Sequence, residues 1–101
     1  MTKFQRKVCG KIRQIPRGKV TTYKLLAEAL DTRAYRAVGG ALSKNSDAPV
    51  VPCHRVVRSD GRVGGYSGST GNFRKKHLLR IEGVEIKDDK VKNLEKVIFS
   101  F

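Results

Sequence analysis

The residues best suited to chemistry stand together in "PCHR", residues 52–55. Cys53 acts as a nucleophile only as its thiolate, which needs a nearby base or positive charge and shelter from water. His54 and Arg55 supply the nitrogen groups, and valines flank the motif on both sides. Neighbouring side chains in an extended segment point apart, so a bridging water could carry the proton from Cys53 to His54. A carboxylate must then orient the imidazole, and Glu82 is the candidate.

Two other interpretations of Cys53 stay open on residue chemistry alone. One is a structural cysteine packed in the core, which is a common place for a free thiol. The other is a metal site, for which Cys9, His54 and His77 would be further ligands. These residues lack the Cys-x-x-Cys and His-x-x-x-His spacings of zinc sites, so we expect no metal. Two cysteines also do not make a disulfide framework.

The charge of the chain predicts a polyanionic partner. Its 101 residues include 22 Lys and Arg against 9 Asp and Glu, which gives a net charge of +13. Such an excess favours nucleic acid, which releases counterions on binding, and a solvated basic surface is the alternative. No apolar run approaches the roughly 20 residues that span a bilayer, and the start of the chain lacks the apolar core of a signal peptide. We therefore expect no membrane partner and an intracellular, cytoplasmic protein.

Periodicity predicts one α/β domain over residues 1–101 that is mostly helical. Helices are expected over residues 3–15, 21–30, 35–45 and 73–83, the last closed by Gly83. A short β-hairpin is expected over residues 54–66, with its turn at Asp60-Gly61. The tail, residues 84–101, predicts a weak helix that packs back on the domain.

The second and third predicted helices are joined by a short turn, which indicates a helix-turn-helix. Gly39 and Gly40 lie inside the third helix, where each costs about 1 kcal/mol relative to alanine. Glycine at such positions indicates the close approach of another backbone.

Several segments, taken in order, carry a family resemblance. They are "IPRGKVTTYKLLA" (15–27), "RAVGGAL" (36–42), "PCHRVV" (52–57), "RVVRSDGRVGGYSG" (55–68) and "LLRIEG" (78–83). With these segments the chain resembles the O6-alkylguanine-DNA alkyltransferases, also called methylated-DNA–protein-cysteine methyltransferases. The resemblance covers most of the chain and implies a winged helix-turn-helix-like DNA-binding domain with a short β-hairpin.

The resemblance implies a DNA-repair enzyme that transfers an alkyl group, such as methyl, irreversibly from O6 of guanine to Cys53. A thioether has no leaving group, so each molecule would act once, and no metal or other cofactor would be needed. His54 would be the water-mediated base, oriented by Glu82, and Tyr23 would donate a proton to the leaving guanine. Asn45 would be the hinge that ties the recognition helix to the active-site turn.

The implied partner is double-stranded DNA containing O6-alkylguanine, bound through the minor groove without sequence preference by a monomer. The damaged base must be flipped out of the duplex to be reached. The residues implied in these contacts are Arg36 (replacing the extruded base in the stack), Tyr66 and Ser67 (lining the guanine pocket), the main chain of Cys53 and Val56 (reading the exocyclic amine) and Gly39-Gly40 (allowing close approach of the helix).

Three features depart from the family pattern. Asn45 is followed by Ser46 rather than by proline, and the segment from Tyr66 to Glu82 is slightly longer than the family's. We also expect the catalytic domain alone, without the N-terminal domain of ribonuclease-H-like fold that family members usually carry.

Two rival functions share the fold. An alkyltransferase-like protein would sense damage without transfer, but such proteins usually carry tryptophan in place of the cysteine, and this chain has Cys53 and no tryptophan. A plain winged-helix regulator would need no Cys-His-Glu set and would bind DNA sequence-specifically.

Overall fold

A computed structural model describes residues 2–44, 51–64 and 72–101. Its helices are α1 (Lys3–Ile12), α2 (Tyr23–Ala29), α3 (Tyr35–Ser43), α4 (Phe73–Ile81) and the one-turn α5 (Leu94–Val97). Its strands are β1 (Thr21–Thr22), β2 (Val56–Val57), β3 (Ile86–Lys87) and β4 (Lys90–Val91), and a 3₁₀ turn covers Cys53–Arg55. The predicted α/β fold that is mostly helical is confirmed. Within the described ranges, no helix has the length and apolar character needed to cross a membrane.

Helix α1 begins with a reciprocal cap. The Thr2 hydroxyl accepts a hydrogen bond from the Gln5 N–H at 3.0 Å, and the Gln5 side chain accepts one from the Thr2 N–H at 2.8 Å. The helix buries Val8, Cys9 and Ile12. It ends at Ile12 rather than at the predicted residue 15, because the chain turns there before Pro16.

The helix-turn-helix is formed by α2 and α3, which pack on α1. Thr22 caps α2, because its hydroxyl accepts a hydrogen bond from the Leu25 N–H at 3.1 Å. Val38, Ala41 and Leu42 of α3 are buried in the core. The interior of the domain is therefore set by the apolar stripes of the first three helices.

The predicted pairing of the hairpin over residues 54–66 was wrong. The turn at Asp60-Gly61 is present, with the Arg58 N–H donating to the Arg62 carbonyl at 2.9 Å. Strand β2, however, pairs in parallel with β1, so that Thr21 lies opposite Val56 and Thr22 opposite Val57. Both valines are fully buried, which is typical of a strand covered on both faces rather than of one in an exposed hairpin.

The short β-hairpin lies instead in the tail, where β3 and β4 pair antiparallel. Asp88 and Asp89 form its two-residue turn with φ of 51° and 64°, as a tight hairpin turn requires. The weak helix predicted over residues 84–101 was therefore wrong except for the single turn α5. The tail does pack back on the domain: the Val20 N–H donates to the Val97 carbonyl at 2.9 Å, and the Phe99 N–H donates to the Val20 carbonyl at 2.7 Å.

Helix α4 is closed by Gly83, as predicted, two residues after its last residue Ile81. Gly83 has a φ of +90°, its N–H donates to the Arg80 carbonyl at 3.0 Å, and the Val84 N–H donates to the Leu79 carbonyl at 3.0 Å.

The glycine pair of α3 has a different environment from the one its sequence indicated. A Cβ atom added at Gly39 or Gly40 would meet no atom within 4 Å in the described part of the fold. The close approach of another backbone, expected from the sequence, is therefore not made inside that part of the fold.

Candidate functional site

The 3₁₀ turn places Cys53 at the start of β2 and buries it. The Cys53 N–H donates to the Val51 carbonyl at 2.8 Å, and the Arg55 N–H donates to the Pro52 carbonyl at 3.0 Å. Cys53 is only 5% exposed and belongs to the cluster formed by the first three helices. Burial of this kind is shared by structural and reactive cysteines, so the neighbouring polar groups decide between them.

The first of these groups is the predicted pair of His54 and Glu82. His54 Nε2 lies 3.0 Å from Glu82 Oε2, and His54 is 1% exposed. Arg55 holds the same carboxylate through two hydrogen bonds, Nε to Oε1 at 2.9 Å and Nη2 to Oε2 at 2.7 Å. Its third nitrogen, Nη1, donates to the Ile15 carbonyl at 2.8 Å. Glu82 is thus fixed by two partners and can fix the imidazole in turn.

The turn between α1 and β1 packs against the main chain that carries Glu82. Gly18 has a φ of +88°, and a Cβ atom there would lie 3.3 Å from the Glu82 carbonyl oxygen. The Arg17 guanidinium donates to the Ile81 carbonyl at 3.3 Å. A glycine is needed at this position both for the backbone conformation and for the close contact.

The protonation states of the pair follow from its surroundings. Burial lowers the pKa of His54, although its hydrogen bond and ionic contact with Glu82 oppose this. For Glu82, burial would raise the pKa, but hydrogen bonds from Arg55 and His54 outweigh it and hold the pKa below its ordinary value. An ionised Glu82 can only accept, so Nε2 of a neutral His54 carries the proton and Nδ1 keeps its lone pair. In this state Nδ1 of His54 can accept a proton.

Tyr23, the first residue of α2, is the second predicted group near the cysteine. Burial raises the pKa of its hydroxyl, the charge of Cys53 raises it further, and Arg58 opposes the shift. The hydroxyl therefore stays protonated at neutral pH and can serve as a donor.

Lys75 also lies at this site, and the sequence interpretation missed it. No role was predicted for Lys75 in the helix expected over residues 73–83, yet Lys75 is 1% exposed and its Nζ lies 5.8 Å from the centre of the Tyr23 ring. Burial lowers the pKa of Lys75 to about 8, while the charges of Cys53 and Asp89 oppose the shift. A signal was present, because Lys75 stands one turn before Leu79 and two turns before Glu82 on the inner face of α4.

The surface beside Tyr23 is concave and open to solvent. A concavity of about 450 Å³ is lined by Tyr23, Lys24, Tyr35, Arg58, Ser59 and Asp60. Arg36 is exposed on α3 next to Tyr35, and Gly40 is exposed on the same helix. This surface offers cations and aromatic rings next to the buried cysteine.

The structure brings together four of the residues named from the sequence, namely Cys53, His54, Glu82 and Tyr23. Val56 lies buried in β2, directly after the turn. Arg36, Gly39 and Gly40 lie on α3, where Arg36 and Gly40 are exposed and Gly39 is half-buried. Asn45, Tyr66 and Ser67 lie outside the described residues. In the part of the chain that is described, no three His, Cys, Asp or Glu side chains group as metal ligands.

The fold and the site define a class of protein, a helix-turn-helix domain built around a buried cysteine, histidine and glutamate. Residues 3–84 match the family model described as 6-O-methylguanine DNA methyltransferase, DNA binding domain, and the chain belongs to this family. A relative from Methanothermobacter thermautotrophicus, named methylated-DNA–protein-cysteine methyltransferase, is 47% identical over 85 residues, which are 84% of this chain and 47% of the relative. The chain spans about half the length of the curated transferases that it matches.

Solved structures give the same result. The crystal structure of O6-methylguanine-DNA methyltransferase from Pyrococcus kodakaraensis is similar with a TM-score of 0.75 and 50% identity, covering 83% of this chain and 48% of that one. The S. pombe protein Atl1, in complex with damaged DNA containing O6-carboxymethylguanine, is similar with a TM-score of 0.86 and 34% identity. That match covers 100% of this chain and 98% of Atl1.

Proposed function

We propose that this protein repairs DNA by transferring an alkyl group irreversibly from O6 of guanine to Cys53. The observation that carries the proposal is the buried Cys53 with its neighbour His54, whose Nε2 is held 3.0 Å from Glu82. Each molecule reacts once, because the thioether that forms has no leaving group. The chemistry uses only side chains of this chain and requires no cofactor.

The reaction needs a thiolate, an electrophilic carbon and a proton for the leaving base. His54 accepts the Cys53 proton through a water molecule at Nδ1, and Glu82 stabilises the imidazolium that results. The sulfur attacks the alkyl carbon in line, so the S–C bond forms as the C–O6 bond breaks and its electron pair passes into guanine. Tyr23 protonates a ring nitrogen of the leaving guanine. In sum, the thiol proton replaces the alkyl group on guanine.

Burial of Cys53 has a consequence for how DNA must bind. A base stacked inside a duplex cannot reach a thiol that is 5% exposed, so the damaged nucleotide is flipped out into the site. Arg36 fills the gap in the stack, while Tyr66, Ser67 and the main chain of Cys53 and Val56 hold the base. Asn45 ties the recognition helix to the active-site turn.

DNA binds along α3 through its minor groove and without sequence preference. The open space beside Gly39 and Gly40 supports this, because small residues on an exposed helix face let a DNA backbone come close. The net charge of +13 supplies affinity for phosphates at any sequence. Residues 1–101 act in this as a single catalytic and DNA-binding unit, and the protein works as a monomer.

One alternative has an observation in its favour. The structure of Atl1 is similar to this chain with a TM-score of 0.86, against 0.75 for the methyltransferase from Pyrococcus kodakaraensis. A damage sensor that binds the lesion with little or no transfer is therefore the second candidate. Retention of Cys53 together with the His54–Glu82 pair favours transfer.

The deciding experiment is the intact mass of the protein after incubation with a duplex containing one O6-methylguanine. We expect a gain of one methylene unit, restored guanine in the DNA, and no change in a Cys53→Ser control. Binding to the lesion duplex without a change in mass would overturn the transferase and leave the damage sensor.

A further inference from the structure

The tail hairpin is fastened to the first turn of α4 by one carboxylate. The Asn72 amide donates to Asp89 Oδ1 at 2.6 Å, and Lys76 Nζ lies 2.8 Å from the same oxygen. Asn72 and Lys76 are one helical turn apart, and the Lys76 N–H donates to the Asn72 carbonyl at 2.9 Å. Asp89 therefore closes the N-terminal turn of α4 from outside the helix.

The same hairpin is joined to the chain that leaves the cysteine turn. The Val63 N–H donates to the Asp89 carbonyl at 2.9 Å, and the Val91 N–H donates to the Gly61 carbonyl at 2.9 Å. Asp89 thus makes contacts in two directions, through its side chain to α4 and through its main chain to residues 61–63. These two parts of the fold have no such link of their own among the described hydrogen bonds.

Lys75 lies inside the turn that Asp89 closes, between Arg74 and Lys76. An ammonium group resists burial, and its long aliphatic stem lets it reach for water when it can. Its position beside Tyr23 therefore depends on how firmly the first turn of α4 is held. The charge of Asp89 also favours the charged form of Lys75.

We propose that Asp89 is a positioning residue for the transfer reaction, which holds the first turn of α4 so that the buried Lys75 stays beside Tyr23 and Cys53. The inference rests on the proposed function. Asp89 lies beyond residue 84, where the match to the family model ends, so the role belongs to the tail of this chain. Without the carboxylate, Lys75 moves away and Cys53 loses a positive charge that favours its thiolate.

The chain offers a matched control for Asp89. Asp88 precedes it in the same turn, also has a positive φ, and makes no side-chain bond in the described structure. Glycine and asparagine both adopt this backbone conformation readily, so the hairpin persists in either substitution. The variants are Asp89→Gly and Asp89→Asn, compared with Asp88→Gly and Asp88→Asn, which change the net charge equally.

The first measurement is the rate of methyl transfer from the lesion duplex. We expect Asp89→Gly to react on the order of tenfold more slowly, and Asp89→Asn, which keeps an acceptor for Asn72, to be intermediate. The two Asp88 variants should match the unsubstituted protein. Equal rates in Asp89→Gly and Asp88→Gly would overturn the proposal, and if Asp89→Gly does not fold, the asparagine pair decides.

The second measurement does not depend on transfer. The rate of Cys53 alkylation by iodoacetamide is followed against pH, with peptide mapping to separate Cys53 from Cys9. We expect the midpoint of the profile to move to higher pH in Asp89→Gly and to stay unchanged in Asp88→Gly. Opening of the whole fold would also speed alkylation of the buried Cys9, so an unchanged Cys9 rate separates a positioning effect from lowered stability. If the unsubstituted protein transfers no methyl group, the proposed function fails, yet this profile still tests the positioning role.

A third variant tests whether the effect passes through Lys75. In a Lys75→Met background, Asp89→Gly should shift the alkylation profile no further, because the charge that it displaces is already gone. Additive shifts in the double variant would contradict a role through Lys75.

Discussion

Burial of Lys75 destabilises the charged form of its side chain in the folded state. Its pKa is lowered from 10.5 to about 8, so the unfolded chain binds the proton more strongly than the folded one between these values. The folding free energy of the unsubstituted protein should therefore become more favourable as pH rises from about 8 to 10.5. Below that window the buried ammonium lowers stability by about 3 kcal/mol.

We accordingly predict that Lys75→Met stabilises the protein and slows transfer. At neutral pH its free energy of unfolding should exceed that of the unsubstituted protein by up to about 3 kcal/mol. The increase in the free energy of unfolding between about pH 8 and 10.5 should be absent from this variant. Urea unfolding at a series of pH values measures both. Lys87→Met, at an exposed position, is the control and should change stability by no more than about 0.5 kcal/mol. A less stable Lys75→Met would show that the lysine is held by favourable contacts instead.

Glu82 has the opposite effect on stability, because its charge has two partners. Its lowered pKa means that it stabilises the fold above the ordinary pKa of a glutamate and that this contribution is lost as pH falls through the lower folded value. Glu82→Gln should cost about 3 kcal/mol, as expected when one partner of a buried pair is removed. In this variant the free energy of unfolding should also fall less steeply at acidic pH. Transfer should be slower, since His54 loses its orienting charge.

The comparison for Glu82 is Glu85→Gln. The Glu85 carboxylate lies 3.8 Å from Lys92 Nζ on the surface, where an ion pair contributes at most about 1 kcal/mol. Urea unfolding at neutral and acidic pH, together with the transfer assay, separates the two variants. Equal losses in both would mean that Glu82 acts only through net charge.

At the scale of elements, the parallel pairing of β1 and β2 separates two residues of the site that helix packing then brings together. Tyr23 follows the carboxyl end of β1 as the first residue of α2, whereas the 3₁₀ turn that carries Cys53 precedes the amino end of β2. Because the strands are parallel, these are opposite ends of the pair. Tyr23 therefore meets Cys53 through the core, where it packs against the cluster to which Cys53 belongs.

Features set by neighbouring residues were predictable from the sequence, whereas features set by the pairing of distant segments were not. The apolar stripes of α1 and α3 and the glycine after α4 are local signals, and they predicted these helices to within a few residues. The partner of Val56-Val57 is a long-range choice, since two buried valines fit a hairpin or a parallel pair equally well. The tail was misjudged because its apolar spacing fits a helix, while Asp88-Asp89 offered a turn that was not recognised.

The site was predictable where it resembles a family motif and not where it depends on packing. His54 and Glu82 were paired from the motif, and the structure places them in contact. Arg55 was expected only to lend charge to Cys53, whereas its guanidinium holds Glu82. Lys75 stands in a run of cations, and only its helical spacing from Leu79 and Glu82 distinguishes it from the cations beside it.

For the whole molecule, the distribution of charge differs from what a simple recognition helix would need. α3 carries one cation, Arg36, whereas seven basic residues and no acidic ones precede Val20. Lys24 and Arg58 line the concavity beside Tyr23. In the proposed reaction DNA delivers a base to Cys53 beside Tyr23, and we expect its phosphates to meet these two cations.

We therefore predict that affinity for undamaged duplex depends on salt through particular residues and not only through net charge. Each phosphate contact contributes about 0.9 to the slope of log Kd against log salt. Lys24→Gln and Arg58→Gln should each lower that slope by about this amount. Lys87→Gln removes the same charge from the tail hairpin and should lower it by less than half as much. Titrations of a fluorescent duplex over a range of salt concentrations give the slopes, and three equal reductions would mean that DNA does not cross this face.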